Sequence, residues 1–234
     1  MKPTAEIVIE KLTRMSGKGM DLSDKKRHIF GMEGMCVLDI AHERLLELAE
    51  EIGSPNQSLA AALWQSDLYE AKILSCILTD PAALTERMLD EWVSGITSWV
   101  VCDYCCSKTI WKTPFAGKKA IEWAESDDDW HVYAGFSLIG VLAFRISAGD
   151  PNELGFFDRS LFIARKQASR PQANVPKAIS SALKSIGTRS RDWHEAAVET
   201  CEEIAMQPSE TAKWVASQAL GDLLSSEIAK AIRA

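Results

Sequence analysis

Helix-start signals recur along the whole of this chain, and between them apolar residues return at intervals of three and four. "TDPAALTERML" offers Thr79 or Asp80 as a cap and Pro81 in the first turn. "SDDDW" sets Ser126 and three acids before a periodic apolar stretch, "GDPNELGFF" repeats the Asp-Pro device at Asp150 and Pro151, and "QPSETAKW" offers Ser209. In "ERLLELAEEIG" the residues Leu45, Leu46, Leu48, Ala49 and Ile52 form one stripe, with Gly53 as the stop. In the last helix Val215, Ala219, Leu220, Leu223, Leu224 and Ile228 do the same. No stretch alternates as a strand with hairpin turns, and the short "VIE" and "CVL" runs read as parts of helices.

The pattern predicts an all-α fold of roughly eleven or twelve helices with short connections. Consecutive pairs would recur at about 40 residues, the spacing of HEAT-like antiparallel pairs stacked into an α-α superhelix. A compact helical bundle is the competing architecture. No linker or composition break divides the chain, so a single domain over 1–234 is expected. The most polar part, 15–30, reads as a mobile N-terminal loop.

Composition narrows the partners. No run of about 18 uncharged apolar residues exists, so no membrane span is expected, and "MKPTAEIVIEKL" lacks the apolar core of a secretory leader. The expectation is a cytoplasmic protein whose six cysteines stay reduced. Net charge is −7, which by itself opposes a nucleic-acid partner. The charge is uneven, however. No acid lies between Asp158 and Asp192, while Arg159, Arg165, Lys166, Arg170, Lys177, Lys184, Arg189 and Arg191 do. Such a run is either an anion-binding face or a helical surface whose counter-charges come from other helices.

"SWVVCDYCC", residues 98–106, is the densest chemistry in the chain. A structural zinc site needs a fourth ligand, and usually a second CxxC or a paired histidine motif. Cys36, Cys76 and Cys201 are isolated, and the four histidines show no ligand spacing. A thioredoxin-type redox pair needs a strand-to-helix context that is missing. The reading is therefore no metal and no cofactor, with the cysteines as packing residues. On a helix capped by Thr97 or Ser98, Trp99 and Asp103 share one face, a turn apart. A carboxylate in that setting either pairs with a neighbouring helix or serves a site.

The order of these motifs resembles the AlkD family of HEAT-repeat DNA glycosylases, over roughly 32–205. "LAAALWQSDLYEAKILSCIL" (59–78), "SWVVCDYCC", "AIEWAESDDDWHVYAGFSLIGVLAF" (120–144) and "VPKAISSALKSIGTRS" (175–190) occur in the family's order. The resemblance implies a curved solenoid whose concave face holds duplex DNA carrying alkylated bases, and excision of cationic N3- or N7-alkylpurines without a tight base pocket. It assigns catalysis to Asp103 as stabiliser of the oxocarbenium-like sugar and to Trp99 as the aromatic wall. It places Tyr133, Lys177, Ser181 and Lys184 at DNA-contacting positions, and the acid-free run adds Arg189 and Arg191 to the expected DNA contacts. Two positions depart from the family pattern: Tyr133 stands where an arginine is expected and Ser181 where a tryptophan is. The expected protein is a monomer in the cytoplasm, associated with the nucleoid when on DNA. Non-catalytic DNA binding and a protein-interaction scaffold are the alternatives.

Overall fold

The structure is a computed structural model and describes residues 3–16, 32, 35–172 and 174–225. Among these residues there are twelve α-helices and no strand. Most of 15–30, and Ile228, lie outside the described residues. Met15 itself closes the first helix. No helix among the described residues is long and apolar enough to cross a membrane. The helices gather into two compact units, Met1–Pro114 and Phe115–Ala234.

The first unit holds α1 (Ala5–Met15), α2 (His42–Ile52), α3 (Gln57–Trp64), α4 (Tyr69–Leu78), α5 (Glu86–Ser94) and α6 (Trp99–Lys108). Its centre is α4, which packs against α1, α2, α3 and α6. The reason lies in its sequence: Ala71, Ile73, Leu74, Cys76 and Leu78 point in all directions round the helix, and all are buried. Two charged residues go inside with them. Glu70 Oε1 accepts the Leu38 N–H at 2.9 Å. Lys72 Nζ donates to the Trp64 carbonyl at 2.7 Å, at the C-terminal end of α3, where a cation is favoured. Burial pushes the Lys72 pKa down.

The run "CVL" is not helical. Cys36 forms an isolated parallel bridge with Leu68, its N–H bonding to the Asp67 carbonyl at 3.1 Å and its own carbonyl accepting Tyr69 N–H at 2.9 Å. Three apolar residues cannot hold a helix whose nucleus alone fixes a full turn, and the start of α4 offers this segment backbone partners instead. Start signals resolve residue by residue. Ser209 caps α12 (Glu210–Leu223) as its position suggested. Asp80 caps only a 3-10 turn, Pro81–Ala83, and Thr85 caps α5. Asp128 rather than Ser126 caps α8 (Asp129–Arg145), accepting the His131 N–H at 2.9 Å. Gly53 ends α2 at φ +88°, a conformation that glycine adopts freely.

The second unit holds α7 (Ala116–Ala124), α8, α9 (Glu153–Gln167), α10 (Val175–Gly187), α11 (Arg191–Ala205) and α12. It has two layers. In one, α10 lies against α8 on one side and α12 on the other; in the other, α9 lies between α7 and α11. Helix, short turn, helix is the recurring step, as in HEAT-like repeats. At Gly135 the backbones of α7 and α8 come close together. A Cβ at Gly135 would stand 2.3 Å from the Ala124 nitrogen, so the pair cannot close on any other residue.

Candidate functional site

The stretch at 98–106 is a helix, and its faces divide as the four-residue spacing requires. Val101, Cys102, Cys105 and Cys106 are buried. Trp99 and Asp103 are half-buried on the remaining face. Ser98 precedes α6, yet its hydroxyl makes no cap bond and, fully buried, meets no hydrogen-bond partner among the described residues. Tyr104 packs against His42 edge-on, centroids 5.4 Å apart. A carboxylate that keeps part of its surface while losing part of its water interacts with a nearby cation more strongly than an exposed one does. That is the electrostatic condition for holding a developing positive charge.

The cysteines beneath this face pack as the composition suggested, but not in isolation. Cys76 of α4 reaches Cys105 with a sulfur–sulfur distance of 2.9 Å. Cys102 hydrogen-bonds Cys106, and this bond, with burial and the Asp103 charge behind it, holds the Cys102 thiol well above its ordinary pKa. Among the described residues no group of three or more His, Cys, Asp or Glu side chains is arranged to hold a metal ion.

The remaining candidates lie in the second unit. Lys177, Ser181 and Lys184 follow one another on a single face of α10 by the helical repeat. Lys177 and Ser181 are exposed, and Lys184 pairs with Asp222 of α12 at 3.0 Å. Tyr133 is 6% exposed and meets the edge of Trp130, centroids 6.0 Å apart. Arg191 is a surface residue paired with Glu195 at 3.0 Å. Arg189 points inward instead. Its guanidinium meets Glu153 at 2.6 Å, donates to the carbonyls of Ala143 and Ile146, and lies 4.6 Å from the centre of the Phe157 ring. Burying a guanidinium requires such partners, and they take four of its five N–H donors.

Most of the acid-free run is answered in the same way from neighbouring helices. Arg159 pairs with Glu125, Arg165 with Glu203, and Arg170 with Asp129 at 2.8 Å. Lys166 and Lys177 form no ion pair among the described residues. Lys166 rests over the exposed Phe162 ring at 4.6 Å. The sequence shows a basic run because the paired acids sit on other helices, out of reach of any local count.

One feature of the first unit escaped the sequence reading. Trp64 and Trp92 stack with centroids 4.6 Å apart and planes 13° from parallel, and the Lys72 ammonium lies 4.7 Å from the centre of the Trp64 ring. Beside them is a cavity of about 310 Å3 rimmed by Gln65, Asp67, Glu91 and Gly95. The pairing of tryptophans 28 positions apart (92 − 64) leaves no periodic signal.

Two comparisons bear on this arrangement. A solved structure described as "a new family of proteins related to the HEAT-like repeat DNA glycosylases with affinity for branched DNA structures" matches with a TM-score of 0.72 at 20% identity, over 94% of this chain and 96% of that one. At that identity the likeness establishes the fold, a HEAT-like helical repeat. No curated protein sequence matches. The family model for "DNA alkylation repair enzyme" matches residues 19–223, nearly the full chain, and the protein is thereby a member of the DNA alkylation repair enzyme family.

Proposed function

We propose that this protein binds DNA and excises cationic alkylpurines from it, with Asp103 stabilising the positive charge that develops on the sugar and Trp99 as the aromatic surface beside it. The observation that carries this reading is the shared, half-buried face of Trp99 and Asp103 on an otherwise buried helix. Family membership supports it. N-glycosidic cleavage needs no cofactor: the carboxylate stabilises the cation, and water completes the hydrolysis. Release of labelled 3-methyladenine or 7-methylguanine from alkylated duplex DNA tests it. Asp103→Asn should lower release by about two orders of magnitude, the usual cost of losing one preorganised charge-stabilising group, while DNA binding persists. No release above background from the unaltered protein would refute the reading.

A second reading is DNA binding without base release, directed at branched structures. It is favoured by the burial of Tyr133, which stands where the family resemblance expects an arginine, and by the affinity for branched DNA structures described for the structural relative's family. Titration of a four-way junction against a duplex of the same sequence separates the two. Tighter binding to the junction, together with absent excision, would establish the second.

A further inference from the structure

Cys76 on α4 and Cys105 on α6 bring their sulfurs to 2.9 Å, inside ordinary sulfur contact and longer than an S–S bond of about 2.05 Å. The pairing differs from the CxxC spacing visible in the sequence. Cys105 is matched with Cys76 across the helix contact, and Cys102 with Cys106 along α6. Both members of the cross-helix pair are buried, at 2% and 0% exposure. The helices are held at the same place by the Thr109 hydroxyl, which donates to the Cys76 carbonyl at 2.9 Å.

Burial raises the Cys105 thiol well above its ordinary pKa, and the thiolate is the reactive form. Cys105 is therefore unreactive in the closed pair, and the burial of both sulfurs excludes bulky oxidants. Reaction requires α6 to lift from α4, the kind of local opening that precedes exchange in native proteins. On reclosing, the two sulfurs are already neighbours. We propose that Cys76 and Cys105 form a reversible disulfide tying α6 to α4 when a small peroxide reaches the pair during such an opening. One sulfur, as thiolate, displaces hydroxide from hydrogen peroxide and becomes a sulfenic acid; its own proton joins that hydroxide as water. The second thiol then attacks the sulfenic sulfur. The S–S bond forms, the S–O bond breaks, and the thiol proton leaves with the hydroxyl as a second water. Two thiols lose two electrons in all, and the peroxide gains them.

The bond would join positions 29 residues apart, constraining the unfolded chain and the opening of α6 alike. The helix it locks is the one that bears Trp99 and Asp103. The inference stands on the thiol geometry alone and is independent of the proposed excision.

The test uses the full chain with Cys36→Ser, because Cys36 is the exposed thiol and would otherwise link molecules together. After hydrogen peroxide treatment, alkylation and digestion without reduction, mass spectrometry should find one cross-linked peptide pair containing Cys76 and Cys105. The intact mass should fall by two hydrogens. The melting temperature should rise by several degrees and return on adding dithiothreitol. The rate should level off at high peroxide, because opening becomes limiting; strict proportionality throughout would overturn the gating. A Cys102–Cys106 or Cys102–Cys105 link, or sulfinic acid in place of a disulfide, would overturn the assignment. So would unmodified Cys76 and Cys105 thiols under conditions that fully oxidise Cys36 in the unaltered chain. Cys105→Ser should remove the cross-link, and if that variant does not fold, the peptide map of the Cys36→Ser chain still decides.

Discussion

Arg189 and Glu153 form a largely buried ion pair within the second unit, 2.6 Å apart with 7% and 13% of their side chains exposed. The carboxylate also accepts Trp193 Nε1–H at 3.1 Å and Gly149 N–H at 2.7 Å. It joins the loop after α8 to the starts of α9 and α11. A residue that charge patterning groups with DNA contacts thus has its donors committed to the fold.

Removing that cation should act on stability. Arg189→Met leaves Glu153 without its partner, and breaking a buried pair costs about 3–5 kcal/mol; the two retained N–H bonds put this case at the low end. Urea unfolding measures it. The pH dependence follows from Glu153, whose hydrogen bond with Arg189 holds its pKa below the usual carboxylate range. A depressed pKa contributes stability that is present above the unfolded value, about 4.3, and is lost as pH falls through the folded value. The gap between parent and variant should therefore be full at pH 7 and narrow below about pH 4. A gap that widens on acidification would contradict the assignment.

Lys177 should behave in the opposite manner. It is exposed, and it has no ion pair among the described residues. Lys177→Ala should change unfolding free energy by less than about 0.5 kcal/mol. If it meets phosphate, the slope of log affinity against log salt should shrink by about 0.9, the release expected for one phosphate contact. Anisotropy titrations on one duplex at several salt concentrations read this directly. Lys184→Ala should shrink the slope less, since Asp222 already answers part of its charge.

Gly135→Ala should be among the most damaging single changes in the second unit. The added carbon meets backbone on three sides: Ala124 N at 2.3 Å, Ala124 Cα at 2.7 Å and Ala120 O at 2.9 Å. Backbone cannot rotate aside as a side chain does, so a loss of about 3 kcal/mol or more is expected. Gly140→Ala on the same helix is the control. Its nearest contact is 3.7 Å, to Ser185 Oγ, so it should be neutral or stabilising by up to about 1 kcal/mol. Thermal unfolding of the pair distinguishes a specific close approach from a general aversion to alanine in α8.

Ser181 and Tyr133, the two departures from the family pattern, should respond differently to restoration. Ser181 is exposed, so Ser181→Trp should fold normally. Beside Lys177 on the same face it adds a stacking surface worth about 1–3 kcal/mol for an unpaired base. Affinity for DNA with unpaired bases should therefore rise by about tenfold or more, and affinity for intact duplex by much less. Tyr133→Arg places a guanidinium where the side chain is 6% exposed. It should lower stability by several kcal/mol unless an acid is supplied with it. Equal tolerance of both substitutions would mean that Tyr133 can swing outward.

The all-α class, the stop at Gly53, the cap at Ser209 and the shared face of Trp99 and Asp103 are all written in the linear order. Each depends on residues within four positions of one another, and helical geometry is a local rule. The family order of motifs is also linear. What only the tertiary structure decided are the relationships between residues far apart in the chain. Arg189 lies 36 positions from Glu153, Cys76 lies 29 from Cys105, and Arg159 lies 34 from Glu125. A count along the chain sees an acid-free basic run and a CxxC. Packing among the helices of the second unit turns most of that run into ion pairs, and packing of α4 against α6 gives Cys105 a partner outside its own motif. Charge and sulfur act through space over a few ångströms, so their partners are chosen by which helices meet, and no periodicity in the sequence records that choice.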